Sequence, residues 1–212
     1  MDNISKYLEY TLLKKNLKDE DIKKLCLDAI KHNFFGICIY PEYIKKAKEY
    51  LKDNKTKIIT VIDFPSGDSD PIEKGKKAKI AKDLGADEID MVIDVLALKD
   101  KDYNKVYKGI KEVVENASSI PVKVIIETCY LNYDEKIIAC ALSKIAKAKF
   151  VKTSTGFAEA GANVQDVFLL QKIVNGQMGV KASGGIKTLK EAELMITAGA
   201  SRIGTSNALE MV

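Results

Sequence analysis

Two phrases of this 212-residue chain share an unusual pattern. Val151-Lys152-Thr153-Ser154-Thr155-Gly156 and Val180-Lys181-Ala182-Ser183-Gly184-Gly185 each set a lysine inside a β-forming run and follow it with a small, hydroxyl- or glycine-rich turn. A lysine in an apolar strand is costly unless it is paired, neutral or put to use. On adjacent strands about 4.8 Å apart, two ammonium heads about 6 Å apart repel by roughly 3 kcal/mol at an effective dielectric near 20. That equals about 2 pKa units, enough to bring one lysine from about 10.4 towards about 7–8. An amine in that range is a working nucleophile at neutral pH. A lowered lysine beside a second lysine and a carboxylate describes Schiff-base chemistry. Asp90, in Glu88-Ile89-Asp90-Met91-Val92, is the carboxylate expected to move protons to and from the carbinolamine, imine and enamine.

These residues need strands to hold them, and the chain supplies strands at regular intervals. Apolar, β-branched runs occur at 8–13, 36–40, 58–64, 88–95, 122–127, 150–154, 179–182 and 202–204. Between them lie helical patterns with recognisable ends. Asp70 with Pro71 and Glu73 opens one that stops near Gly85, Asn132 with Glu135 opens another, and Thr188 with Glu191 forms a capping box. A final helix is expected over 206–212. Strict βα alternation implies a parallel sheet, and eight units in 212 residues predict a single-domain (β/α)8 TIM barrel over 1–212. An open doubly wound sheet would want a dinucleotide fingerprint after the first strand, and none is there.

Alternation along each strand sorts side chains into inward and outward sets. It sends Glu9, Thr11, Cys38, Tyr40, Glu88, Asp90, Lys123, Glu127, Lys152 and Lys181 inward, where barrels normally stack Val, Ile and Leu. Lys123 and Glu127 lie on one face of one strand and are expected to pair with each other. Asp90, Lys152 and Lys181 sit near the C-terminal strand ends, where barrel active sites lie. Gly184-Gly185 after the seventh strand, with Lys187 nearby, and Gly204-Thr205-Ser206-Asn207 after the eighth offer backbone N–H groups to a phosphate.

Composition narrows the partners. The chain has 34 Lys+Arg against 30 Asp+Glu, a net charge of +4, and Arg202 is its only arginine. The lysines are interleaved with acids along helix faces, which reads as solvated surface and not as a nucleic-acid groove. Cys26, Cys38, Cys129 and Cys140 have no CxxC spacing, so reduced thiols in a cytoplasmic protein are expected. The single histidine, His32, suits a helix C-terminus and leaves no material for a Ser-His-Asp triad or a histidine metal site. No signal peptide or membrane-spanning run is evident.

The blocks ICIYP, GADEIDMVID, KVIIETCYL, FVKTSTGF, VKASGGIKT and AGASRIGTS resemble those of the deoxyribose-phosphate aldolase family, in the same order and across nearly the whole chain. The resemblance implies a class I aldolase without metal or cofactor. It would reversibly cleave 2-deoxy-D-ribose 5-phosphate to acetaldehyde and D-glyceraldehyde 3-phosphate, in deoxyribonucleotide catabolism. By motif, Lys152 is the Schiff-base lysine, Lys181 the second lysine and Asp90 the proton-transferring acid. Substrate and phosphate contacts are implied for Thr155, Gly156, Gly184, Gly185, Lys187, Gly204, Ser206 and Asn207, with Glu9, Thr11 and Cys38 as first-strand and pocket-lining candidates. Where the family usually reads Asp-His-Thr in the first strand, this chain has Glu9-Tyr10-Thr11, and it ends at Val212 without the C-terminal tyrosine of some members. The alternatives are a Schiff-base barrel of transaldolase type and a sugar-phosphate-binding relative without turnover. A homodimer is left open.

Overall fold

The computed structural model describes residues 4–212. Eight parallel strands close into a barrel in sequence order: β1 (Leu8–Leu12), β2 (Gly36–Ile39), β3 (Lys57–Ile62), β4 (Glu88–Val92), β5 (Val122–Ile125), β6 (Phe150–Lys152), β7 (Gly179–Ser183) and β8 (Arg202–Thr205). The helices on the outside are α1 (Asp19–Lys31), α2 (Ile44–Leu51), α3 (Pro71–Leu84), α4 (Val95–Lys99), α5 (Tyr103–Ala117), α6 (Tyr133–Ile145), α7 (Val164–Val174) and α8 (Leu189–Thr197). The architecture is the (β/α)8 barrel that the alternation predicts.

Helix ends follow the capping chemistry of the sequence. Asp70 accepts a hydrogen bond from the Ile72 N–H at 2.8 Å with Pro71 next in line, and α3 stops at Gly85 in a left-handed conformation. Asn132 with Glu135 and Thr188 with Glu191 form complete capping boxes. His32 is the C-cap of α1.

The ends of β1, β2, β7 and β8 and the start of β3 differ from the sequence reading by one residue, and β6 ends at Lys152 instead of residue 154; four further differences have a local reason. β3 stops at Ile62, because Asp63 turns to a positive φ of 51°. β4 stops at Val92, and Asp94 caps the short helix α4 by accepting from the Ala97 N–H at 2.9 Å. β5 stops at Ile125, two residues before Glu127 takes a φ of 52°. The expected last helix is a single 3₁₀ turn, Ala208–Met211.

The main core is a layer between strands and helices, with Leu8, Ile37, Ile89, Val124, Val151 and Val180 packed against the inner faces of α1 to α8. A much smaller apolar group of Cys38, Ile59 and Val61 fills the β2–β3 side of the barrel interior. At the N-terminal end the Arg202 guanidinium lies 3.6 Å from the centre of the Phe35 ring and 5.4 Å from that of Phe150. Beside these, with Val92 and Ile125, lie the buried charged side chains of Glu9, Glu88, Asp90, Lys123, Lys152 and Lys181.

Candidate active site

Register brings the charges together. β6 pairs with β7 so that Lys152 lies beside Lys181, and β4 pairs with β5 so that Asp90 lies beside Lys123. All four point into the barrel, and Glu9 of β1 and Glu88 of β4 join them. Asp90 is the hub. One of its oxygens, Oδ2, accepts from Lys152 Nζ at 2.8 Å and from Lys181 Nζ at 2.6 Å, while Oδ1 accepts from Lys123 Nζ at 2.9 Å. Lys123 also pairs with Glu88 at 2.6 Å and lies 3.6 Å from Glu9, and Lys181 bonds to Glu9. Three ammonium groups thus face three carboxylates, and the Arg202 guanidinium lies 3.8 Å from Glu9 Oε1 as a fourth cation. Gly204 makes room for this on β8, since a Cβ there would lie 3.0 Å from Lys181 Cε.

The electrostatics follow from that balance. Burial pushes the Asp90 carboxyl up, but Lys123, Lys152 and Lys181 together hold it well below the usual carboxylate range. Burial likewise disfavours the Lys181 ammonium, yet Asp90 and Glu9 outweigh it and hold that group above the ordinary lysine value. Lys123 is raised in the same way, against burial, by Asp90 and Glu9. The expected repulsion between Lys152 and Lys181 requires that they meet as bare neighbours. Instead one carboxylate oxygen stands between them, so their mutual repulsion is largely neutralised.

The three lysines differ in access. Lys123 and Lys181 have no exposed surface, whereas Lys152 is 3% exposed and lines a cavity of about 240 Å³ at the C-terminal mouth. Around that cavity stand Thr11, Thr155, Gly156, Gly184, Gly185, Lys187, Gly204, Ser206 and Asn207, all residues singled out in the sequence. Glu9, Asp90 and Lys181 lie beneath its floor. Glu9 uses its longer side chain to reach between Lys181 and Lys123, so the carboxylate in the first strand stays within the network.

Two expectations fail. Cys38 does not line the cavity, because it is fully buried against Ile59 on the β2–β3 side, where burial pushes its thiol up to about 11. Lys123 and Glu127 do not pair. The turn that ends β5 swings Glu127 towards the β6 loop, where it accepts from the Thr155 N–H at 3.1 Å and from the Thr155 hydroxyl at 2.5 Å. Glu127 therefore holds the cavity wall, a role only the backbone turn reveals.

The loops of β6 and β7 are also locked to each other. Thr153 Oγ1 donates to the Ser183 carbonyl at 3.1 Å and accepts from the Ser183 N–H at 3.1 Å, and Ser183 Oγ donates to the Ser154 carbonyl at 2.6 Å. Thr205 Oγ1 ties β8 to the same wall through the Ile186 carbonyl at 2.7 Å. Sequence reasoning missed Leu12, Leu13, Lys14, Phe157, Ser183 and Ile186 as cavity residues. Phe157, Ser183 and Ile186 sit inside recognised motifs, which was the available signal. Among the described residues, no group of His, Cys, Asp and Glu is arranged to hold a metal ion.

A closed parallel barrel with a buried amine at its mouth, hydrogen-bonded to an acid, is an arrangement suited to an enzyme site. The sequence profile of the DeoC/LacD family aldolases matches residues 5–209, and the chain belongs to that family. The deoxyribose-phosphate aldolase of Thermotoga maritima is 49% identical over 100% of this chain and 86% of its own length. That of Thermococcus gammatolerans is 51% identical over 99% of this chain and 95% of its own. Among solved structures, the tetrameric deoxyribose phosphate aldolase of Aeropyrum pernix superposes with a TM-score of 0.90 at 31% identity, covering 98% of this chain and 88% of that one. An aldolase designated QR15 gives 0.95 at 37%, covering 100% and 95%.

Proposed function

We propose that this chain is a class I deoxyribose-phosphate aldolase in which Lys152 forms the Schiff base. One observation carries the residue assignment. Of three buried lysines sharing one ionic cluster, Lys152 alone reaches the cavity, and it does so 2.8 Å from Asp90.

The Lys152 amine attacks the aldehyde carbon of open-chain 2-deoxy-D-ribose 5-phosphate. That amine forms when the Lys152 ammonium passes a proton to Asp90, which its Nζ touches at 2.8 Å; this proton and the one the nitrogen loses on attack are both delivered by way of Asp90 to the former aldehyde oxygen, which leaves as water. The resulting cationic imine is an electron sink. Asp90 takes the proton of the C3 hydroxyl as C3 becomes a carbonyl, the C2–C3 bond breaks and its electron pair forms the enamine on Lys152, and the same proton is later returned to C2. Glyceraldehyde 3-phosphate departs. Protonation of the enamine at C2 and addition of water to the imine then free acetaldehyde and regenerate the amine. Lys181 holds Asp90 in place through the shared Oδ2 contact and keeps it ionised. The glycine turns at Gly184-Gly185 and Gly204 and the side chains of Thr155, Lys187, Ser206 and Asn207 are assigned to the phosphorylated end of the sugar.

Deoxyribonucleotide catabolism in a reducing cytoplasm is the setting we assign to this reaction, supported by four free thiols. The assembly we assign is a homo-oligomer, a homodimer or the tetramer described for the Aeropyrum pernix relative. Acetaldehyde with borohydride tests the central claim. Reductive ethylation confined to the Lys152 peptide is expected, and label on Lys123 or Lys181, or no label, would sink the assignment.

A further inference from the structure

The phosphate half of the mouth contains one cation that no motif points to. Lys14 follows β1 and lines the same cavity as Lys152 and Lys187. In the closed barrel β8 lies between β7 and β1, so the loop carrying Ser206 and Asn207 is flanked by the β7 loop with Lys187 on one side and the β1 loop with Lys14 on the other. Neither ammonium lies within ion-pair distance of a carboxylate among the described residues, unlike Lys24, Lys46 and Lys76, each of which holds an acid on its own or a neighbouring helix.

Charge counting shows why a second cation is needed. A phosphate monoester carries about −1.5 to −2 at neutral pH. Lys152 does not supply the counter-charge, because its ammonium is already paired with Asp90 at 2.8 Å. Lys187 alone leaves the dianion half-neutralised. Lys14, on the opposite side of the β8 loop, is the remaining cation of the cavity.

We infer that Lys14 is a specificity-determining residue that clamps the substrate phosphate together with Lys187, and so sets the preference for phosphorylated over unphosphorylated sugars. This rests on the aldolase reading of the same cavity. Both ammonium groups are strongly hydrated point charges on flexible stems, so they act by attracting the phosphate, not by fixing its geometry.

The test compares kcat/KM for 2-deoxyribose 5-phosphate and for 2-deoxyribose in wild type, Lys14→Met, Lys14→Arg and Lys15→Met. The ratio of the two constants should fall by about ten- to a hundredfold in Lys14→Met, the size of one lost charge-assisted contact, with the change in KM. Lys14→Arg should keep most of the ratio. Lys15→Met, next along the loop but outside this cavity, should keep all of it. A ratio in Lys14→Met equal to wild type, or an equal fall in Lys15→Met, overturns the inference. Inorganic phosphate binding, measured by calorimetry on the same proteins, separates this from the aldolase reading. If wild type cleaves neither sugar, the function fails, and weaker phosphate binding in Lys14→Met alone still upholds the clamp, while unchanged binding removes it.

Discussion

Lys181 at the barrel centre and Lys74 under the β3–α3 loop are hidden alike, at 0% and 2% exposure, and stand in opposite electrostatic conditions. Lys74 donates to the carbonyls of Gly67 at 2.5 Å and Val92 at 3.0 Å, and its nearest acid is Asp63 at 3.3 Å, which is already bound by Lys77 at 2.9 Å and by Ser69. Burial therefore dominates, and Asp63 offsets it only in part, so the Lys74 pKa is lowered. Lys181 meets two carboxylates directly, Asp90 and Glu9, and its pKa is raised. Burial alone does not decide which way an amine moves. The balance between burial and the carboxylates in contact does. Lys74 is thus a pin joining the β3–α3 loop to the end of β4, and the central lysines are gathered around shared acids.

The contrast can be broken from either side. The largest effect is expected for Lys152→Arg, which keeps the charge next to Asp90 but forms no imine near neutral pH. Turnover should vanish while the thermal midpoint stays close to wild type, and more than trace retro-aldol activity in the pure variant would exclude Lys152 as nucleophile. Asp90→Asn should slow turnover by about 10²–10⁴-fold while still permitting some borohydride trapping, and near-normal turnover would remove Asp90 from the proton path. Lys181→Met should lower kcat/KM on the order of 10²-fold, the cost of letting a catalytic group shift by about an ångström. Because Asp90 sits between the two lysines, the pH–rate profiles of Lys181→Met and wild type should run parallel. Recovery of the variant at alkaline pH would mean that lysine–lysine repulsion, and not the shared carboxylate, governs the Lys152 amine.

The smallest effect on chemistry is expected at Lys74. Lys74→Met strands two buried carbonyls and should cost about 1–3 kcal/mol of stability with turnover changed little. The pH dependence sharpens the comparison. Lys74, lowered on folding, binds fewer protons folded than unfolded between its two pKa values, so its contribution is complete above about 10.4 and is lost as pH falls through the folded value. Lys181, raised on folding, contributes fully below about 10.4 and loses that as pH rises through its folded value. Urea melts from about pH 8 to about pH 10 should show the gap between wild type and Lys74→Met widening, and a narrowing gap would contradict the environment described for Lys74.

Sequence pattern made the barrel, its caps and the paired lysines of β6 and β7 legible, because each rests on local periodicity or on side chains within a few residues of one another. It did not reveal Lys74, which looks like one more surface lysine in Glu73-Lys74-Gly75-Lys76-Lys77 and is buried only because the Gly67 loop folds over it. It misplaced Glu127 because the positive φ at that residue turns the side chain away from the face that strand alternation assigns to it. Cys38 is inward as expected and lies beside cavity-lining Thr11 in the β1–β2 register, but packing against Ile59 and Val61 buries the thiol completely. Inward and accessible are separate properties, and only the second needs three dimensions.

The sleeve of apolar packing outside the strands has a consequence for how such a molecule changes over generations. Residues in that sleeve, such as Ile89, Val124 or Val180, each meet ordinary hydrophobic neighbours and tolerate exchange one at a time for others of similar volume. The lumen obeys a different rule. Removing one member of a buried ionic set strands a charge and is costly, whereas replacing the set together can be neutral. Ancestry should therefore be written differently in the two places: gradual drift in the sleeve, and concerted jumps among Glu9, Glu88, Asp90, Lys123, Lys152 and Lys181.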